Sequence, residues 1–139
     1  EKAAKVHDLK RGRGGIVDVE FLVQALQLIH GRDQPSILTQ NVAYGLEKLR
    51  EADILPPIEG EALFHSYQFL RWVELRLSLV TRKDERLGSL SPEELELATQ
   101  RIGYQPTETE AASEILGSEL DYHRRVIRRS LERYVQPES

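Results

Sequence analysis

The stretch Ile16-Val17-Asp18-Val19-Glu20-Phe21-Leu22-Val23-Gln24-Ala25-Leu26-Gln27-Leu28-Ile29-His30 decides the fold of this chain. Ile16, Val19, Leu22, Val23, Leu26 and Ile29 recur at three- and four-residue steps, which lays one apolar stripe along a helix and leaves no strand-like alternation. Gly31 supplies a stop. Downstream, Asn41 is a good N-cap for a second helix reaching about Ala52, with Val42, Leu46, Leu49 and Ala52 inward, and Pro56-Pro57 ends that unit. From about Gly60 to Lys83, Leu63, Phe64, Tyr67, Leu70, Val73, Leu77 and Val80 mark a third helix long enough to act as a central strut. Ser91-Pro92-Glu93-Glu94 joins an N-cap, a proline at the first helical position and a capping-box glutamate, and the short helix it starts ends at Gly103. Thr107-Glu108-Thr109-Glu110 repeats that start signal. Ala111, Ile115, Leu116, Leu120, Val126, Ile127, Leu131 and Val135 carry the last helix to near Gln136, with Gly117 a place for a bend. There is no internal repeat, low-complexity tract or convincing strand. The fold class is all-α, a single bundle-like domain of about five helices over 16–136, preceded by a basic, glycine-rich junction over 1–15.

The chain has 139 residues, 40% hydrophobic and 30% charged, enough for one domain with a core of its own. With no cysteine, disulfide scaffolds, zinc fingers and thiol chemistry are excluded. No apolar run approaches the roughly 18 residues of a membrane span, and no signal-like segment opens the chain, so neither membrane insertion nor export is expected. A net charge of -4 argues against a nucleic-acid partner. Glu1-Lys2-Ala3-Ala4 opens without methionine, which leads us to expect a piece cut from something longer.

Most of the chain offers no chemistry. His7, His30, His65 and His123 are scattered without metal-ligand spacing and read as structural or surface residues. Trp72, beside Arg71 and Arg76, reads as a core or interface anchor, and Arg124, Arg125, Arg128, Arg129 and Arg133 as a solvated helix face. The segment Lys10-Arg11-Gly12-Arg13-Gly14-Gly15 stands apart. Glycines among cations, set directly before a helix start, bring backbone amides and positive charge to the positive end of the helix dipole, where a phosphate fits. A glycine-rich turn with solubilising cations fits the same residues. Asp18 falls between the apolar stripe and the flank carrying Phe21 and Leu28, so its carboxylate is expected to be partly buried and to need a partner. That partner is either the helix dipole and Arg11 or Arg13, or a group in a site. Glu20, Gln24 and Gln27 form a separate polar stripe.

The run from Lys10 to Gln24, continuing through Leu26-Gln27-Leu28 and Gly31, closely resembles the motif that follows the nucleotidyltransferase core in bacterial glutamine synthetase adenylyltransferase. The likeness extends to Asn41, Leu46, Leu49, Ala52 and Leu55, and to the stretch from Tyr67 to Leu77. It covers about residues 8–80 well and the rest loosely. The resemblance implies a helical accessory domain of an enzyme that moves AMP from ATP to a tyrosine of glutamine synthetase and removes it by phosphorolysis. It further implies cytoplasmic location, regulation by the PII signal protein and glutamine, and ATP and Mg2+ as cofactors of the parent core. No tight binding of either cofactor to this fragment is implied. Val17-Asp18-Val19-Glu20-Phe21 looks more like the adenylylating, C-terminal half. In this light Lys10, Arg11 and Arg13, with the amides of Gly14 and Gly15, would bind phosphate, and Asp18 and Glu20 would support catalysis by orienting those cations or assisting the metal site.

The chain departs from the complete enzyme in two ways. The core's Asp-x-Asp pair is absent, since no two of Asp8, Asp18, Asp33, Asp53, Asp84 and Asp121 are two apart, so no metal site is assigned and the piece is expected to be inactive alone. Leu75 stands where the family often has histidine. A purely regulatory or protein-docking bundle is an alternative, and so is the corresponding domain of PII uridylyltransferase, which has a similar motif.

Overall fold

The computed structural model describes residues 14–81 and 90–135. Five α-helices and one 3-10 turn make up its regular structure: α1 Ile16–His30, the turn Pro35–Ile37, α2 Val42–Glu51, α3 Pro57–Thr81, α4 Pro92–Arg101 and α5 Ala112–Tyr134. No strand occurs among the described residues, and the all-α expectation holds. The 25-residue α3 packs against α1, α2, α4 and α5, which makes it the strut that its apolar spacing implies. One contiguous core joins Leu22 and Leu26 of α1, Leu46 and Leu49 of α2, Leu63, Leu70 and Leu77 of α3, Leu95 of α4 and Leu116, Leu120 and Ile127 of α5. At about 25 cal/mol per Å² of apolar surface removed from water, such burial is the main term holding the helices together.

Local signals explain most helix ends. Asn41 Oδ1 accepts from the Tyr44 amide at 2.8 Å, capping α2. Ser91 and Glu94 make the reciprocal capping box of α4, at 3.1 and 2.9 Å. α3 begins at Pro57 rather than Gly60, because a proline at the first helical position lacks only an N–H that would have no partner in the helix.

Three expectations are corrected. Thr107-Glu108-Thr109-Glu110 does not start α5. Its Thr107 hydroxyl accepts from the amides of Thr109 and Glu110 at 3.3 and 3.0 Å, and Thr107 N–H closes back on Glu110 O at 2.8 Å, which makes a separate turn. α5 starts at Ala112, where Glu96 of α4 accepts the Ala112 and Ser113 amides at 2.9 Å each and Glu114 accepts that of Ala111 at 2.9 Å. Ile29 is 60% exposed, because the inner stripe of α1 has rotated past it by the last turn. Trp72 is on the surface, stacked on Phe69 with Arg76 over its ring, and is no core anchor. Gly31 stops α1 as expected, capping it with a right-handed φ of -66° and its N–H on Gln27 O at 2.7 Å. The ends foreseen at Lys83 and Gln136 lie outside the described residues. α5 runs through Gly117 unbroken.

Of the arginines read as a solvated face of α5, Arg125, Arg128 and Arg133 are ion-paired there, whereas Arg124 departs from the expectation, with its Nε and Nη2 buried. Arg125 bonds Asp121, Arg128 lies 3.5 Å from Glu132 and Arg133 lies 3.2 Å from Glu59. Glu59 also accepts from Ser130 Oγ at 2.6 Å and Tyr134 Oη at 2.9 Å, tying the start of α3 to the end of α5.

Candidate functional site

The segment before α1 is where the sequence places its chemistry. Gly15 is the N-cap of α1 and has no side chain to cap with. Asp18, in the first turn, reaches back instead, and its Oδ2 accepts the Gly14 N–H at 2.7 Å. A carboxylate there also meets the positive end of the helix dipole. Gly14 has φ +75° and is buried. A methyl group at Gly14 would overlap the backbone carbonyl of Arg124 in α5, so both the left-handed backbone and the close approach demand glycine. Gly14 is thus held from two sides, by Asp18 of α1 and by the backbone of α5.

Glu20 looks elsewhere. Residues two apart on a helix do not face each other, and the charge of Glu20 acts on Tyr67 of α3. Burial raises the Tyr67 pKa first, Arg71 opposes that rise, and Glu20 and Glu74 add to it. Tyr67 lines a groove of about 750 Å³ between the first turn of α2 and the outer half of α3, together with Asn41, Arg71, Trp72, Glu74 and Leu75. Arg71 and Glu74 are 3.8 Å apart across its wall. The structure therefore brings Gly14, Gly15 and Asp18 together, whereas Glu20 is not among the residues lining the groove and bears on Tyr67 through its charge. Lys10, Arg11 and Arg13 lie outside the described residues.

No group of three His, Asp or Glu side chains able to hold a metal ion occurs among the described residues, and one oxygen of Asp18 is already given to an amide. The described residues do not fit Mg2+, so the ATP and Mg2+ reading rests on the resemblance. Among the described residues no helix is long and apolar enough to cross a membrane.

Among the polar contacts that sequence reasoning missed is a part-buried pair between two helices. Ser66 Oγ and His123 Nδ1 lie 2.8 Å apart between α3 and α5, with Phe69 stacked on the imidazole at 4.4 Å. The two residues are 57 positions apart, and no local pattern joins them.

Comparison with known proteins bears on these residues. The family described as GlnD PII-uridylyltransferase matches residues 1–135. The chain belongs to that family. Curated relatives carry a different name, bifunctional glutamine synthetase adenylyltransferase/adenylyl-removing enzyme. The protein from Corynebacterium diphtheriae is 33% identical over 115 residues, 81% of this chain and 11% of the relative. That from Rhizobium meliloti is 35% identical over 107 residues, 77% of this chain and 11% of the relative. That from Xanthomonas campestris pv. campestris is 43% identical over 77 residues, 55% of this chain and 8% of the relative. The chain spans about a tenth of the length of these relatives. The resemblance to adenylyltransferases is thus shared by curated relatives, and the all-α fold fits the helical domain of this family.

Proposed function

We propose that these residues serve as the helical accessory domain of an enzyme that adenylylates glutamine synthetase and reverses that modification. Supporting the reading are the adenylyltransferase relatives and one structural observation, the Asp18 carboxylate holding the Gly14 amide against α5. That contact fixes the point at which the basic segment meets the bundle. A free hinge would need no such contact.

In this reading Lys10, Arg11 and Arg13 offer their charges to the phosphates of ATP or the leaving pyrophosphate. Gly14 gives its amide to Asp18, so the side chains and Gly15 carry the anion contact. Asp18 is a positioning residue that keeps the segment in register, and Glu20 supports from the α3 side through Tyr67. ATP and Mg2+ belong to the core of the parent enzyme, glutamine synthetase is its protein substrate and PII its regulator, all in the cytoplasm. The fragment alone has no Asp-x-Asp pair and transfers nothing. The name of the matching family favours a second reading, a domain that serves uridylylation of PII.

One experiment separates the two. Full-length protein carrying these residues is mixed with α-labelled ATP or UTP and with glutamine synthetase or PII. Label passing from ATP to glutamine synthetase supports the first reading; label passing only from UTP to PII replaces it with the second.

A further inference from the structure

Trp72 is the single tryptophan of the chain, and it lines the groove between α2 and α3 instead of joining the core. Tryptophan carries so much apolar area that it is highly buried in most folds. Here the ring is braced while it stays 37% exposed: Phe69 stacks on it at 6.2 Å and the Arg76 guanidinium lies 5.8 Å from its centroid. A side chain already held in place loses little freedom when a partner covers it. What sets this place apart from the aliphatic side chains exposed elsewhere is the company of Trp72. Tyr67 and Arg71 share the same concave surface of about 750 Å³, and tryptophan, tyrosine and arginine are the residue types that dominate binding hot spots.

Charge, polar chemistry and length choose the occupant. The charged residues lining the groove are Arg71 and Glu74, one of each sign, 3.8 Å apart with side chains 53% and 30% exposed. A pair so exposed contributes little to the fold, so both charges can turn to a partner, whereas a polyanion would meet Glu74 as a repulsion. Asn41, Gln68 and Ser78 add uncharged donors and acceptors, the chemistry that answers the N–H and C=O groups of a peptide backbone. A helix rises about 1.5 Å per residue, so the floor from Tyr67 to Ser78 is about 16 Å long, the reach of about five residues of extended chain. We propose that the groove seats an extended segment of a partner polypeptide, with Trp72 as anchor and Arg71 and Glu74 receiving an acid and a base of that segment. This role is separate from AMP or UMP transfer and needs neither reading of the activity.

Random heptapeptides displayed on phage are selected on the immobilised 139-residue chain, and the enriched sequences are synthesised for fluorescence anisotropy titrations. A peptide seat predicts enriched sequences that pair an acid with a base beside an apolar residue. They should bind Trp72→Ala and Arg71→Gln about tenfold more weakly than wild type. They should bind Phe21→Ala, altered on the exposed side of α1, as wild type, and full-length protein as tightly as the short chain. No enrichment over the bare support overturns the proposal, and so do peptides that bind Trp72→Ala at full strength. Trp72 emission that shifts as the peptide-free chain is concentrated assigns the groove to a second copy and overturns it. Peptides that bind the short chain but not the full-length protein assign the groove to that protein's own remaining parts, which overturns it as well.

Discussion

Glu96 of α4 accepts the backbone N–H of Ala112 at 2.9 Å, closing the start of α5 from a different helix. The N-cap Ala111 has no oxygen to offer, so amides that a local serine or aspartate would ordinarily satisfy depend on a residue 16 positions away. Burial alone would raise the Glu96 pKa, but the Gln100 amide, the Ser113 and Ala112 backbone N–H groups and the Ser113 hydroxyl together pull it down to about 2. Glu96→Ala should lower unfolding free energy by roughly 1–2 kcal/mol in urea titrations, and an unchanged midpoint would remove the cap from the stability of the domain. The pKa is depressed in the folded state, so the stabilisation is complete above the ordinary value of 4.5 and is lost as pH falls toward 2. The gap between wild type and Glu96→Gln should close over that window.

His123 carries a second pH dependence. Burial lowers its pKa from the ordinary 6.5, nearby His65 lowers it further, and Glu119 opposes both. A lowered folded-state pKa means that the neutral imidazole beside Ser66 stabilises fully above pH 6.5 and that this contribution is lost as pH falls through the folded value. Thermal melts from pH 7.5 to 5 should show a decline that His123→Asn removes. A wild-type melting temperature flat over that range would contradict this.

Gly14 and Gly103 both have positive φ, +75° and +118°, but only Gly14 has backbone against it. Gly103→Ala therefore bears backbone strain alone, about 1–3 kcal/mol. Gly14→Ala adds an overlap with the α5 backbone and should cost more. Urea denaturation of the two variants side by side reads the difference, and equal losses would mean that the loop can move off α5.

The sequence makes legible what depends on near neighbours. The stripe through Leu22 and Leu26, the Asn41 cap and the Ser91–Glu94 box arise from residues within a turn or two, and each forms as its pattern implies. The Thr107 start signal misleads because a threonine hydroxyl satisfies its own turn equally well, while the actual cap of α5 comes from Glu96 on another helix. Asp18 is legible as a carboxylate in need of a partner. The identity of that partner, the Gly14 amide, and the seating of Gly14 on Arg124 depend on how α1 meets α5, which no spacing encodes. Glu20 falls on a polar stripe in the sequence, but only the packing of α1 on α3 brings its charge within range of Tyr67.

The most direct test of the account is the rate of AMP transfer to glutamine synthetase by full-length protein carrying Asp18→Ala or Asp18→Asn. Asparagine keeps an oxygen for the Gly14 amide and loses the charge; alanine loses both. If Asp18 acts by positioning the segment, Asn should retain most of the rate. Ala should fall by about tenfold, with a stability loss of only about 1 kcal/mol in the 139-residue chain. Transfer at the wild-type rate in Asp18→Ala would contradict the account.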